Sequence, residues 1–295
     1  MKTRSKSASP SPKGLASTHR KAWLVFLCST TVVTGFAQAS DDAKFSAYRD
    51  ALADGNPGEF WVDDGEDLFF KKAGPKNASL EKCDFGLGPG VLEGAYAQMP
   101  RYFSDTDRVE SLEGRLMTCM KTLQGLDDKQ IQEQYLNIHY LNAAEEDNRV
   151  SPLAQLATFV ASKSSEMPFQ IALDHPKEQH AYELGKKTFW HRMGAMDLSC
   201  AHCHAVPGRV LRGVELPVMT DPERAGKVMG AFPAYVNKDG NVRTQWWRNE
   251  RCLLAMRLPW LKTGSEIDAA LILYQVKKAS ESDEKIAVPG IKPRA

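Results

Sequence analysis

The sequence predicts a mainly α-helical protein made of two similar domains in tandem. Three observations predict it. Apolar residues recur at helical spacing in several segments with capping signals. A ten-residue pattern, Gly-x3-Phe-aromatic-x3-Gly, occurs as GEDLFFKKAG at 65–74 and again as GKKTFWHRMG at 185–194. Cysteine follows each copy, and only the second leads into Cys-x-x-Cys-His, at Cys200, Cys203 and His204.

The elements follow in chain order. The first 21 residues carry Lys2, Arg4, Lys6, Lys13, Arg20 and Lys21 and no acid. An apolar run of about 15 residues continues to Phe36 and ends at Ala37-Gln38-Ala39, the order of a cleaved signal peptide over 1–39 and so of export to the periplasm. Ser29, Thr30, Thr31, Thr34 and Gly35 interrupt that run, which is too short and polar for a membrane span. Cys28 follows Leu27 and Phe26, bulky residues unsuited to a lipoprotein site, and leaves with the signal. Cleavage takes the basic count from 38 to 32 against 37 acids, a net charge of about −5. That balance gives no basis for nucleic-acid binding. The remaining roughly 256 residues suit two domains, read as 40–160 and 161–295.

In the first domain, Ser111 to Leu123 places Leu112, Leu116, Cys119 and Leu123 on one helical face. Residues 125–150 read as helical, highly charged and solvated. In the second, Val206-Pro207-Gly208 reads as a turn, and the Gly- and Pro-rich chain to about Asn241 as loops. Ser265 caps a helix to Ala279, with Asp268 three residues on and an apolar stripe of Ile267, Ala270, Leu271 and Tyr274. The tail after Glu281 reads as irregular.

Five cysteines remain after cleavage: Cys83, Cys119, Cys200, Cys203 and Cys252. In an oxidising compartment an odd number means that full disulfide pairing is impossible. Cys-x-x-Cys-His is compatible with zinc, with a dithiol redox pair, or with a c-type haem. Zinc would want a second Cys/His cluster, and no comparable one appears. A redox pair would open a helix after a strand. The haem reading explains every residue: two thiols add to the vinyl groups on one porphyrin edge, and His204 is then held against the iron. His202 reads as a spacer. The second domain is therefore cytochrome c-like, with one covalently bound haem c on Cys200 and Cys203.

The second axial ligand is left open between methionine and thiolate. Met219, Met229 or Met256 would make the chain a plain electron carrier. Cys252 lies in WWRNERCLLAMRLPW, among Arg248, Arg251 and Arg257. If this segment is helical up to Pro259, Arg248 and Cys252 share a face. Cations lower a thiol pKa, and a thiolate ligates iron or attacks an electrophile; the duller alternative is a disulfide. A guanidinium beside such a sulfur suits an anionic substrate.

The repeat extends to Arg-x3-Cys, at Arg115 and Cys119 and again at Arg248 and Cys252. Its elements keep their order, which points to an internal duplication with haem retained only in the C-terminal domain. Where the second half has Cys200-Ala-His-Cys-His, the first has Cys83-Asp84-Phe85-Gly86-Leu87, with no second thiol and no histidine. Cys83 and Cys119 are then available to pair, closing a loop of about 36 residues worth about 3–4 kcal/mol in the chain-entropy model.

The chain resembles the SoxA family of the periplasmic sulfur-oxidation system, cytochromes c that act as L-cysteine S-thiosulfotransferases. The resemblance rests on CDFGLGPGVLEGAYAQMPRYFSDTDRVESLEGRLMTCM, on SCAHCH, on FPAY at Phe232–Tyr235, and on the WWRNERC…MR…GS…LILYQ ending. The first half is similar to the single-haem branch. The resemblance implies that His204 and Cys252 are the axial ligands. It implies that Cys252 is the catalytic cysteine, carried as a persulfide, and that Arg248 binds substrate. It also implies a SoxX cytochrome subunit as partner, thiosulfate joined oxidatively to a cysteine of the SoxYZ carrier, and a soluble cytochrome c as electron acceptor.

Overall fold

Gly65 and Gly185 show how the two halves are built. The computed structural model describes residues 55–136, 151–211, 213–237 and 240–292; the signal peptide read over 1–39 lies outside them. Helix α1 (Glu59–Phe70) packs on a later helix, Pro152–Ser162, so closely that a Cβ on Gly65 would lie 2.2 Å from the carbonyl oxygen of Gln155. In the second half the helix Pro176–Trp190 packs on Glu266–Ala279, and a Cβ on Gly185 would lie 1.9 Å from the carbonyl oxygen of Ala270. Only glycine permits backbones to approach so closely. The phenylalanine four residues on, Phe69 or Phe189, is buried in each half.

The resemblance continues past the helices. Gly74 and Gly194 both have positive φ, at 69° and 72°. Each opens a small loop closed by an antiparallel bridge, Ala73 with Ala78 and Met193 with Leu198. Asn77 and Asp197, at φ 45° and 50°, supply the left-handed residue inside each loop. All these pairs keep one spacing. Continued, it sets Ser79 against Ser199, Leu80 against Cys200, Cys83 against Cys203 and Asp84 against His204. The sequence comparison had set Cys83 against Cys200; the backbone register sets it against the second cysteine of the motif.

A second block also recurs. In the first half Pro100 leads into β1 (Arg101–Phe103) and β2 (Arg108–Glu110), with Arg101 opposite Glu110. Helix α2 (Leu112–Cys119) follows directly, its first turn capped by Ser111, whose Oγ accepts the Gly114 N–H at 3.2 Å. The chain continues as a π-helical turn over Met120–Gln124 and stops at Gly125, φ 75°. Cys119 forms a disulfide with Cys83. Then come α3 (Asp128–Ile131), with a capping box between Asp127 and Gln130, a further π turn over Gln132–Leu136, and α4 (Pro152–Ser162). Of the charged segment read over 125–150, residues 137–150 lie outside the described residues.

The second half holds α5 (Pro176–Trp190), α6 (Cys200–His204) and the hairpin β3 (Val210–Leu211) with β4 (Val214–Glu215). The segment read as loops up to Asn241 also contains α7 (Pro222–Gly230). Asp221 caps it and Pro222 occupies its first position, which does not need its N–H. Gly226 and Gly230 on α7 let the C-terminal tail approach it. Pro233 leads into β5 (Ala234–Val236), which pairs antiparallel with β6 (Asn241–Arg243), with Ala234 opposite Arg243. Helix α8 (Gln245–Ala255) follows directly, capped by Thr244, whose Oγ1 accepts the Trp247 N–H.

Helix α9 (Glu266–Ala279) starts at Ser265, as its cap signal predicts. It is buried almost all round rather than along one stripe, with Asp268, Ala269, Ile272, Leu273, Gln275 and Val276 inside as well. The tail is not irregular throughout. Ile286 and Val288 are buried, Ile286 exchanges backbone hydrogen bonds with Glu166 and Met167, and β7 (Gly290–Lys292) pairs parallel with β5.

All described residues belong to one compact unit. The halves are tied by the Tyr96 hydroxyl donating to the Phe232 carbonyl at 2.9 Å and by the Tyr102 N–H donating to Glu178 at 2.8 Å. Among the described residues no helix is long and apolar enough to cross a membrane.

Candidate functional site

The motif helix α6 is one turn and a half long. Ser199 opens it and donates its N–H to Nδ1 of His202 at 3.1 Å, while its Oγ lies 2.8 Å from the same nitrogen. His202 is thus a capping residue rather than a free spacer. Cys200 and Cys203 are half-buried and outside any disulfide. His204 follows, with Nδ1 2.9 Å from the carbonyl oxygen of Pro217, so Nδ1 carries the proton and Nε2 is the basic nitrogen. The Met219 N–H closes this loop on the His204 carbonyl at 2.7 Å. Nothing in the residue types marks Pro217, because its contribution is a backbone oxygen.

Cys252 comes to the motif from α8. The thiols of Cys203 and Cys252 lie within electrostatic reach of one another, as do those of Cys200 and Cys252. The Arg248 guanidinium lies within electrostatic reach of both Cys252 and His204. Five residues singled out in the sequence therefore converge: Cys200, Cys203, His204, Arg248 and Cys252. Among the described residues no group of three or more His, Cys, Asp or Glu is placed to hold a metal ion by itself.

The electrostatics correct one expectation. The arginines were expected to pull the Cys252 thiol below its ordinary pKa. Burial pushes it up, Arg248 offsets part of this, and the outcome is a raised value. Burial pushes Cys200 up to about 12. His204 is held below the usual imidazole range, first by burial and then by Arg248, and so is neutral at neutral pH.

The neighbours of Cys252 divide their work. Trp246 is buried in the core, whereas two guanidiniums lie over the Trp247 ring, Arg243 at 4.5 Å and Arg251 at 5.7 Å from its centre. Arg257, at φ 51°, is exposed beyond the helix end. Glu250 is buried and pushed up to about 7 by that burial. Of the candidate methionines, Met219 and Met229 belong to the core and Met256 is half-buried.

The matching place in the first half is closed. Its sulfurs are bonded, Cys83 to Cys119. Arg115, in the position of Arg248, is buried with both oxygens of Asp105 at 2.9 and 2.8 Å and Glu110 at 3.5 Å, and lies over the Phe103 ring at 4.1 Å. Asp84, in the position of His204, accepts the N–H groups of Gly86 and Gly88.

Comparison with known proteins adds the following. A model of the SoxA/TsdA cytochrome c domain matches residues 64–169. The chain is 36% identical over 275 residues to the L-cysteine S-thiosulfotransferase subunit SoxA of Hydrogenophilus thermoluteolus, covering 92% of this chain and 97% of the relative. It is 32% identical over 236 residues to a protein of the same name from Hydrogenobacter thermophilus, covering 79% and 83%. The fold is similar to the crystal structure of SoxXA from P. pantotrophus, with a TM-score of 0.64, 22% identity and 84% of each chain covered.

Proposed function

The chain belongs to the SoxA family of L-cysteine S-thiosulfotransferase subunits, and on that premise we propose that Cys252 is its reacting sulfur and Arg248 its substrate-binding cation. The observation that carries this reading is one guanidinium within electrostatic reach of both an unbonded thiol and a neutral imidazole. An electron carrier has no need of that arrangement; a thiol that handles an oxyanion does.

The residues fit a covalently attached haem c. Cys200 and Cys203 are unbonded thiols on one helix, and the Pro217 carbonyl fixes the tautomer in which Nε2 of His204 is free to ligate iron. Val206, Val210, Leu211 and Leu254, apolar residues close to the motif and to Cys252 in sequence, are exposed. In this reading Cys200 and Cys203 would tether one haem, and His204 and Cys252 would be the residues that ligate its iron. When bound, the haem supplies one-electron transfer. The recurring geometry is read as an internal duplication, with domains over 40–160 and 161–295 and haem only in the second.

The chemistry follows from the side chains. Arg248 presents a fork of N–H donors to the sulfonate oxygens of thiosulfate and orients its terminal sulfur. The Cys252 sulfur forms the sulfur intermediate by bonding to the terminal sulfur of thiosulfate as the two electrons leave, and the carrier thiolate then takes over that sulfur as the Cys252 thiolate departs. The acceptor is a cysteine thiol of the SoxYZ carrier. Overall that thiol loses a proton, one S–S bond forms to the terminal sulfur of thiosulfate, and two electrons leave, one to each of two molecules of a soluble cytochrome c. The SoxX cytochrome is the partner subunit, and the reaction takes place in the periplasm.

The test is Cys252→Ala in the haem-loaded complex with SoxX. Thiosulfate-dependent cytochrome reduction in the presence of the carrier is expected to vanish while haem content by intact mass is retained; full turnover would refute the assignment. A thiolate-type low-spin ferric EPR signal is expected in the native protein. A methionine-ligated near-infrared band would instead make it a plain electron carrier.

A further inference from the structure

We propose that, before haem attachment, Cys203 and Cys252 close a disulfide that matches Cys83–Cys119 and keeps the reacting sulfur inert until it is reduced. The argument rests on backbone register. From Gly65 to Ala78 the first half matches Gly185 to Leu198, through the crossing glycine, the buried phenylalanine, the left-handed glycine and the bridged loop, and the same spacing carried on sets Cys83 against Cys203.

A second block matches from Pro100 to Cys119 and from Pro233 to Cys252. It comprises a three-pair antiparallel hairpin in the same register, a hydroxyl cap, an arginine four residues on and a cysteine four beyond that. The backbone N–H of that arginine donates to the carbonyl of the cap in both, Arg115 to Ser111 at 2.8 Å and Arg248 to Thr244 at 3.1 Å. Cys203 and Cys252 therefore occupy the places of two cysteines whose Cα atoms stand 5.6 Å apart, inside the range a disulfide spans. Leu80 holds the place of Cys200, so the first half singles out the second cysteine of the motif as the partner. All three sulfurs of the second half are unbonded and within electrostatic reach of one another.

The bond forms by oxidation of two thiols to one disulfide, with two protons and two electrons passing to a disulfide oxidant. With oxidised glutathione the products are the protein disulfide and two molecules of reduced glutathione. Reopening it takes a dithiol reductant. The bond would withhold Cys203 from thioether formation; that consequence rests on the haem reading above, whereas the bond itself does not.

The experiment uses the full-length chain exported in a host without haem-attachment machinery. The chain is treated with oxidised glutathione, quenched with an alkylating agent, digested with trypsin without reduction and weighed. The expected product joins the peptide Met193–Arg209 to Cys252–Arg257. It is lost in Cys203→Ser and kept in Cys200→Ser, with Cys83–Cys119 bonded throughout as the control for folding. Alkylated Cys252 in a chain whose Cys83–Cys119 bond is formed overturns the proposal, as does a link that survives Cys203→Ser. Intact mass of the protein from a haem-competent host tests the haem reading separately, since loss of that reading leaves the apo-chain link standing.

Discussion

Arg115 and Arg248 begin equivalent turns of equivalent helices and end in opposite states. Arg115 is buried against Asp105 and Glu110, so its charge serves the fold. Arg248 is half-buried and acts on a thiol and an imidazole. A charge-assisted hydrogen bond is worth about 1.5–3 kcal/mol. Arg248→Ala is therefore expected to lower kcat/KM for thiosulfate by roughly 10- to 100-fold. Arg248→Lys should recover part of this, because lysine keeps the charge but loses the fork. Steady-state kinetics with the carrier protein decide it; an unchanged kcat/KM in Arg248→Ala would remove Arg248 from substrate binding. At this scale the Cys-x-x-Cys-His motif was legible in the sequence, because its residues stand at a fixed local spacing. The cap formed by His202 and the carbonyl of Pro217 were not legible, because both depend on local geometry. The state of Cys252 was misjudged, because burial, which outweighs a neighbouring cation, is invisible in a list of neighbours.

The helices show what a repeated glycine means. Gly65 and Gly185 read as punctuation in a motif, and the structure shows them as crossing points of helix pairs. A methyl group on Gly185 would meet the backbone of Ala270 rather than a side chain able to turn away. Gly185→Ala is expected to cost about 3 kcal/mol or more and to lower Tm by roughly 6–12 °C, measured by thermal unfolding followed by circular dichroism. An unchanged Tm would show that the helices can separate at no cost. Helix α9 was legible in its cap and length, but not in its burial on nearly every side, which comes from neighbours distant in sequence. The same holds for the tail, where Ile286, Val288 and β7 are ordered by Glu166, Met167 and β5. Helix α7 was hidden by its glycines, which are there for close approach and not for turns.

Across the whole molecule, three buried acids come together from both halves: Glu113 on α2, Glu250 on α8 and Asp268 on α9. Burial raises all three above the ordinary carboxylate range, Asp268 strongly and Glu250 to about 7. A carboxyl whose pKa is raised by folding binds its proton more tightly in the folded chain. Its stabilising contribution is complete below the unfolded pKa of about 4 and is lost as pH rises through the folded value. Tm is therefore expected to fall by about 5 °C or more between pH 5 and pH 8. Asp268→Asn should flatten that slope while still accepting the Gly264 N–H, which Asp268 holds at 2.9 Å. An equal slope in both proteins would show that the acids do not set it.

The sequence by itself determined what covalent and periodic constraints dictate: a Cys-x-x-Cys-His motif, a repeated pattern, helix caps, an odd cysteine among arginines, and the likeness to SoxA. These are local, because bond lengths and helical pitch tie each feature to a fixed spacing. Only the tertiary structure decided which residues meet. It brought Cys252 and Arg248 to His204, closed the Cys83–Cys119 bond that the sequence had only left available, and buried Arg115 while leaving Arg248 within electrostatic reach of Cys252. Contacts between residues far apart in sequence, and the cost of removing charge from water, arise only once the chain has folded, so no spacing along the chain records them.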